Sequence, residues 1–242
     1  MYEHNHIPLL LLYNPFFPYF KSVSYSLVWS VVIMDLRWKH PFSAIVAGPS
    51  GSGKSVFVSK FIKHIGEMCD TTFTRINWHY GVGGGIGDNS SNVNYIEGLP
   101  KLDDFDGKEP VLVIIDDMMR EADNTVVDLF TKGCHHRNIS VFFITQNIFH
   151  QGRGQRDISL NAHYLVCFKN PRDKVQIKCL ARQIHPENPK FIEEAYTDAT
   201  SKAHGYLLID LKQATPDDVR IQSNIFPDDV NHFVYVPRKR GK

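Results

Sequence analysis

The chain has 242 residues, 43% of them hydrophobic and 22% charged, an ordinary globular composition whose length suits one domain with a full core. A formal net charge of +1 and a pI near 7.8 exclude a highly charged nucleic-acid coat but allow a local basic patch. The four cysteines (Cys69, Cys134, Cys167 and Cys179) are scattered, which predicts reduced, mostly buried thiols in a cytosolic or nuclear setting, and Cys134, His135 and His136 lack a fourth ligand at zinc spacing.

The first 33 residues differ from the rest. Residues 7–34 are apolar and aromatic, interrupted by Pro8, Pro15, Pro18 and Lys21. A membrane span needs about 20 apolar residues without such breaks. An early basic region and a clean cleavage site, the marks of a signal peptide, are lacking. The expectation is a poorly ordered or non-native extension over 1–33, with a membrane anchor as the alternative, a folded domain over 34–237 opening at Met34, and a basic tail over 238–242. The protein is expected in a nucleus or cytoplasm and not to be secreted.

From Pro41 onward apolar runs alternate with amphipathic stretches. Residues 43–47 predict a buried strand. Residues 54–65 predict a helix with Val58, Phe61, Ile62 and Ile65 on one face. Residues 73–78 predict a strand, and the Gly-, Asn- and Ser-rich stretch 81–94 a surface loop. Residues 111–115, 139–145 and 164–168 read as strands covered on both faces. Residues 124–134, 173–183 and 189–200 read as helices. Residues 206–211 and 219–222 predict a terminal hairpin. Strands alternating with helices argue for an α/β fold, a mostly parallel sheet with right-handed crossovers.

Three segments carry chemistry. GPSGSGKS fits G-x-x-x-x-G-K-[ST] from Gly48 through Pro49, Ser50, Gly51, Ser52, Gly53, Lys54 and Ser55. Its glycines let backbone N–H groups approach an anion, and the following helix points its positive end at the same place. Lys54 would bridge β- and γ-phosphates, and Ser55 would offer its hydroxyl to Mg²⁺. VLVIIDD ends an apolar strand in Asp116, which would hold Mg²⁺, and Asp117, which would accept a proton from, or orient, the attacking water; the plain alternative is a turn with two solvated carboxylates. VFFITQN ends another in Gln146, an amide suited to sensing the γ-phosphate. Arg137 precedes that strand. If the strand is parallel to its neighbours, Arg137 lies at the edge opposite its own nucleotide, and only a neighbouring subunit's phosphate is within its reach. The alternative for Arg137 is a solvated connection residue; Arg153 and Arg156 are rival fingers.

GPSGSGKS, VLVIIDD, HHRNISVFFITQN and ISLNAHYLVCFKNPRD together resemble the FtsK–HerA superfamily of DNA-pumping ATPases, and most closely the genome-packaging ATPases of Polinton/Maverick elements, adintoviruses and poxviruses. The likeness runs over about residues 41–226. It implies a RecA-like P-loop core, ATP and Mg²⁺ as cofactors, an oligomeric ring that is usually hexameric, and ATP-driven movement of double-stranded DNA into a capsid. By motif position Lys54, Ser55, Asp116, Asp117, Gln146 and Arg137 take the roles given above. Many superfamily members carry glutamate where this chain has Asp117; paired aspartates occur in the packaging branch.

A motor of this kind grips DNA through phosphates. Lys174, Lys178 and Arg182 fall at i, i+4 and i+8 on one predicted helix, and Arg153 and Arg156 lie just after the Gln146 segment. These are the DNA-contact candidates, the plain alternative for the stripe being a solvated helix face. A small-molecule P-loop kinase and a non-catalytic scaffold switched by ATP are the competing functions.

Overall fold

The computed structural model describes residues 10–11, 19–22, 32–81, 92–118, 124–148 and 155–237. Its strands are β1 (Leu10–Leu11), β2 (Tyr19–Ser22), β3 (Val32–Asp35), β4 (Ser43–Ala47), β5 (Arg75–Tyr80) and β6 (Asn94–Glu97) in the first half of the chain. β7 (Val111–Asp116), β8 (Ile139–Thr145), β9 (Tyr164–Phe168), β10 (Tyr206–Asp210), β11 (Ile221–Ser223) and β12 (His232–Tyr235) follow. The helices are α1 (Lys54–Lys63), α2 (Ile65–Met68), α3 (Asn124–Asp128), α4 (Cys134–His136), α5 (Gln155–Leu160), α6 (Val175–Ile184) and α7 (Pro189–Ala199).

A ten-stranded sheet runs in the order β1-β12-β11-β10-β9-β4-β8-β7-β5-β6. From β6 to β9 every neighbouring pair is parallel; β10, β11, β12 and β1 continue it antiparallel. The expected α/β architecture with a mostly parallel sheet is present. The C-terminal hairpin is present as β10 and β11, and β12 extends it. β2 and β3 form a separate two-stranded sheet.

The central strands are buried on both faces because their side chains alternate between two cores. Ile45, Val113, Ile115, Val141, Phe143, Leu165 and Leu207 face the core shared with α6 and α7. Ala44, Val46, Leu112, Ile114, Phe142, Val166 and Leu208 face the core shared with α1. Continuous β-branched and aromatic runs are what such two-faced burial requires, and they made these strands readable.

The helix expected over 54–65 stops at Lys63, and His64, at φ −105° and ψ 22°, separates it from α2. Residues 124–134 hold α3 and then a π-helical turn, Leu129–Gly133, leading to α4. The strand expected over 73–78 is shifted to 75–80. β1, β2, β3, β6 and β12 were not anticipated, and β1 and β2 lie within the stretch expected to be poorly ordered. β6 is a four-residue edge strand whose sequence NYIE is largely exposed; β12, also four residues, alternates buried and partly buried side chains, an alternation that HFVY does not show in polarity. Of the predicted loop, residues 82–91 lie outside the described part. Cys69, Cys134 and Cys167 are buried thiols and Cys179 is exposed; burial pushes Cys69 up to about 11, and Cys134 and Cys167 up to about 12.

One aromatic cluster ties the domain's entry segment to the sheet. Trp38, 2% exposed, stacks on Tyr164 of β9 at 4.0 Å between ring centroids. It also meets Phe42 at 5.1 Å and Phe61 of α1 at 4.9 Å. The Tyr164 hydroxyl accepts from the Lys39 N–H at 3.0 Å, so the ring is held at both ends. Trp38→Ala is expected to destabilise the fold by about 3–5 kcal/mol, the usual cost of removing a fully buried aromatic; urea unfolding monitored by circular dichroism measures it.

Candidate functional site

The loop between β4 and α1 adopts a conformation that its glycines permit. Gly51 (φ 74°) and Gly53 (φ 104°) occupy left-handed backbone that other residues adopt at a cost. At Gly48 the reason is space: a Cβ there would lie 2.7 Å from the Phe168 Cβ and 2.8 Å from the Ser52 Oγ. The Gly48 N–H donates to the Thr145 carbonyl at 3.2 Å, which fixes the loop to the end of β8. The first intrahelical bond, Phe57 N–H to the Gly53 carbonyl at 2.9 Å, starts α1 with no side-chain cap on its N-terminus. The early N–H groups of α1 are therefore available to an anion.

Lys54 is 9% exposed, and its Nζ donates to the Gly48 carbonyl at 2.8 Å and the Pro49 carbonyl at 3.0 Å. Burial lowers its proton affinity below that of an ordinary lysine, and the charges of Asp117 and Asp116 work against that loss. A buried ammonium lying across loop carbonyls is a cation held in place before its counter-anion arrives.

The carboxylates and the amide reach the same place through strand register. Asp116 is opposite Ile144, and Ala47 is opposite Thr145, so β7, β4 and β8 end side by side. The Ser55 hydroxyl donates to Asp116 Oδ2 at 3.3 Å. Burial raises the Asp116 carboxyl above its ordinary value; hydrogen bonds from Ser55 and Trp78 oppose this, Asp117 adds to it, and Lys54 opposes it. Asp117 sits at φ 50°, an uncommon conformation for a residue with a Cβ, and its N–H donates to the Ile144 carbonyl at 3.1 Å. The Gln146 Nε2 donates to Asp117 Oδ2 at 3.1 Å and more distantly, at 3.4 Å, to Oδ1. The structure thus brings together Gly48–Ser55, Asp116, Asp117 and Gln146.

These residues fit a nucleotide phosphate with Mg²⁺. The Gly48 cradle would be filled by a Cβ, Lys54 supplies a buried cation, and the buried Ser52 hydroxyl has no hydrogen-bond partner among the described residues. Ser55 and Asp116 are the pair that would hold the ion. Among the described residues no group of three or more His, Cys, Asp and Glu side chains converges as a metal cage. Mg²⁺ in phosphate sites does not need one, being held by one or two side chains plus substrate phosphates and water.

Arg137 lies at the other end of β8. Its guanidinium donates to the Phe105 carbonyl at 3.0 Å and lies 3.8 Å from Asp103, with about a third of the side chain exposed (36%). Lys174, Lys178 and Arg182 are exposed on α6, Lys174 at its N-cap. Arg153 lies outside the described residues. Arg156 falls in α5, and its side chain lies outside them as well.

Sequence reasoning missed three neighbours of the site. Phe168 packs against Gly48, Trp78 supports Asp116, and His204, at φ 59°, places its Nδ1 3.1 Å from the Ser52 carbonyl. None was singled out as a site residue in the sequence, though Phe168 lies within ISLNAHYLVCFKNPRD; each arrives from another strand or turn. An open groove beside the loop is lined by Gly53, Ser55, Lys60, His204, Asn224 and Tyr235. Among the described residues no helix is long and apolar enough to cross a membrane.

No protein-family model matches this chain, and no curated protein matches it either. Solved structures are similar at low identity. The genome packaging NTPase B204 from Sulfolobus turreted icosahedral virus 2, in complex with ATP-gammaS, is 13% identical, with a TM-score of 0.48, covering 81% of this chain and 97% of its own. EccC (ATPases 2 and 3) of Thermomonospora curvata, in complex with a signal sequence peptide, is 11% identical, with a TM-score of 0.42, covering 90% of this chain and 42% of its own. EssC (ATPases 2 and 3) from Geobacillus thermodenitrificans is 11% identical, with a TM-score of 0.43, covering 99% of this chain and 46% of its own. At this level of identity and superposition none of them decides the activity of this chain.

The raised Asp116 carboxyl has a stability consequence. Its folded value lies above the ordinary 3.8, so as pH rises through that window the unfolded chain loses its proton first and the folded state loses stability. Above the window the ionised group is a standing cost to the fold. Asp116→Asn is expected to melt at a higher temperature than the parent at neutral pH without nucleotide, with the gain vanishing as pH falls below about 4; calorimetric melts across that range measure it.

Proposed function

We propose that this chain is an ATP-hydrolysing motor that moves double-stranded DNA, packaging the genome of a virus or virus-like element into a capsid. The observation that carries the reading is the meeting of a phosphate loop, the Ser55–Asp116 pair and the Gln146–Asp117 contact at one edge of the parallel sheet. A loop alone would serve any phosphate. The added carboxylate and amide are what a hydrolase needs to place water.

In this reading the triphosphate lies on the loop amides and the α1 N-terminus, with the nucleoside toward the groove beside His204. Lys54 exchanges its two loop carbonyls for phosphate oxygens. Magnesium bound at Ser55 and Asp116 would neutralise charge on the phosphates. Asp117 orients the attacking water and accepts its proton. Gln146, already bonded to that carboxylate, hydrogen-bonds the water or the γ-phosphate and so reports the state of the nucleotide.

Arg137 is proposed to act on a neighbouring protomer's nucleotide in a homo-oligomeric ring, a hexamer by the family resemblance. Lys174, Lys178 and Arg182 are the proposed duplex contacts, with Arg153 and Arg156 as further candidates. Such a motor reads no base sequence, contacts a capsid or portal component, and works in a host nucleus, cytoplasm or virion.

Phosphate release is the test, measured with and without duplex DNA. The parent chain is expected to turn over ATP faster with duplex present. Lys54→Ala is expected to lose nucleotide binding. Asp117→Asn is expected to bind ATP with turnover reduced about 10²- to 10⁴-fold, the usual contribution of a positioned base. Undiminished release by Asp117→Asn refutes its role, and turnover only with a small phosphate acceptor identifies a kinase instead.

A further inference from the structure

A side chain of α6, the helix with the basic stripe, bonds it to the two residues that follow Gln146. The Gln176 Oε1 accepts from the Ile148 N–H at 3.0 Å. The Gln176 Nε2 donates to Asn147 Oδ1 at 2.9 Å and to Asp173 Oδ2 at 2.7 Å. Both amide hydrogens and the amide oxygen are engaged, so the carboxamide has one orientation.

The path continues beyond it. Asp173 Oδ1 accepts from the N–H groups of Val175 at 3.0 Å and Gln176 at 3.4 Å, capping α6. The Asp173 N–H donates to Asn170 Oδ1 at 3.2 Å, and the Asn170 N–H donates to the Tyr196 hydroxyl at 2.9 Å. That hydroxyl donates to the carbonyl of Phe168, the residue against which Gly48 packs, at 2.9 Å. Short directional bonds thus run from the end of β8, through the start of α6, to the end of β9 and the phosphate loop. A shift of the α6 N-terminus must move residues 147–148, and with them Gln146, or break the Gln176 bonds.

We propose that Gln176 is the positioning residue that couples the basic face of α6 to the nucleotide site through Asn147 and Ile148. The proposal rests on the motor reading above. Duplex phosphates pulling on Lys174, Lys178 and Arg182 displace α6, and Gln176 carries that displacement to the Gln146 amide on Asp117. Gln176 touches neither nucleotide nor DNA in this scheme; its role is transmission.

The test compares ATP turnover of the full chain, with and without duplex DNA, in the parent and in three variants: Gln176→Ala, Gln176→Glu, and Gln176→Glu combined with Asp173→Asn. Glutamate keeps the volume and the acceptor for Ile148 but loses both donors and faces the Asp173 carboxylate. Adding Asp173→Asn reverses the donor and acceptor of that pair, a half-turn of the Asn147 amide does the same for the other, and asparagine still caps a helix. Duplex is expected to raise kcat of the parent at least about fivefold, and neither single variant should respond, while KM for ATP and duplex affinity stay within about twofold. The double variant should regain the response, which a merely structural loss would not produce. Gln176→Glu decides the matter if Gln176→Ala does not fold. Single variants stimulated as strongly as the parent, or a double variant that stays unresponsive, overturn the coupling. A parent that hydrolyses ATP but ignores duplex also overturns it and leaves the nucleotide site intact; a parent with no ATP turnover defeats the motor reading itself.

Discussion

The parallel register of β4, β7 and β8 is the constraint from which the site follows. Ala47 lies opposite Thr145 and Asp116 opposite Ile144, so the chain leaves the sheet at one edge three times, at Gly48, Asp117 and Gln146. A one-residue slip in any of these pairings would turn every side chain on that strand to the other face. Register is held because both faces are packed: Ile45, Val113 and Phe143 belong to one core, Val46, Ile114 and Phe142 to the other. The Trp38–Tyr164 stack adds the entry segment and β9 to the same assembly. The site's geometry is therefore set by residues that never touch a ligand.

The site carries its charges at a cost. Lys54 is buried with its ammonium on two carbonyls, Asp116 is driven toward its protonated form, and Asp117 holds left-handed backbone. Each is a departure from what the residue would adopt in isolation, and the surrounding strands enforce it. A polyanion with a divalent cation would offset those costs by adding opposite charge beside Lys54 and the two aspartates.

The fold was legible where burial is two-sided. Val111–Asp116, Ile139–Thr145 and Tyr164–Phe168 announce themselves as mostly apolar runs, and Gly48–Ser55 by its full fit to G-x-x-x-x-G-K-[ST]. β6 and β12 did not, being short and partly exposed. The helix break at His64 was hidden because the apolar spacing continues to Ile65, which still packs against the core at partial burial. Within the site, Lys54, Ser55, Asp116, Asp117 and Gln146 were nameable because each ends or follows a recognisable element. Trp78, Phe168, His204 and Gln176 were not. Their roles depend on which strand lies beside which, and no local window of sequence encodes strand order. Asp117's positive φ is of the same kind, since it comes from the Asp117 N–H bonding the Ile144 carbonyl across the β7–β8 pair.

β8 has a different group at each end, and its length decides what they can share. Seven residues of extended chain separate the ends by roughly 20 Å, so Arg137 and Gln146 cannot meet over one phosphate. Arg137 is nonetheless held in place. Its guanidinium is on the Phe105 carbonyl, its N–H donates to the Gly133 carbonyl at 2.9 Å, and Gly107 lies so close that a Cβ there would be 3.4 Å from the Arg137 Cα. The following residue, Asn138, takes left-handed backbone (φ 55°), and its Oδ1 accepts from His40 Nε2 at 2.7 Å. In the proposed ring the same strand would present an arginine to one nucleotide and a glutamine to the next, so that a rigid-body shift of β8 would be felt at two sites together.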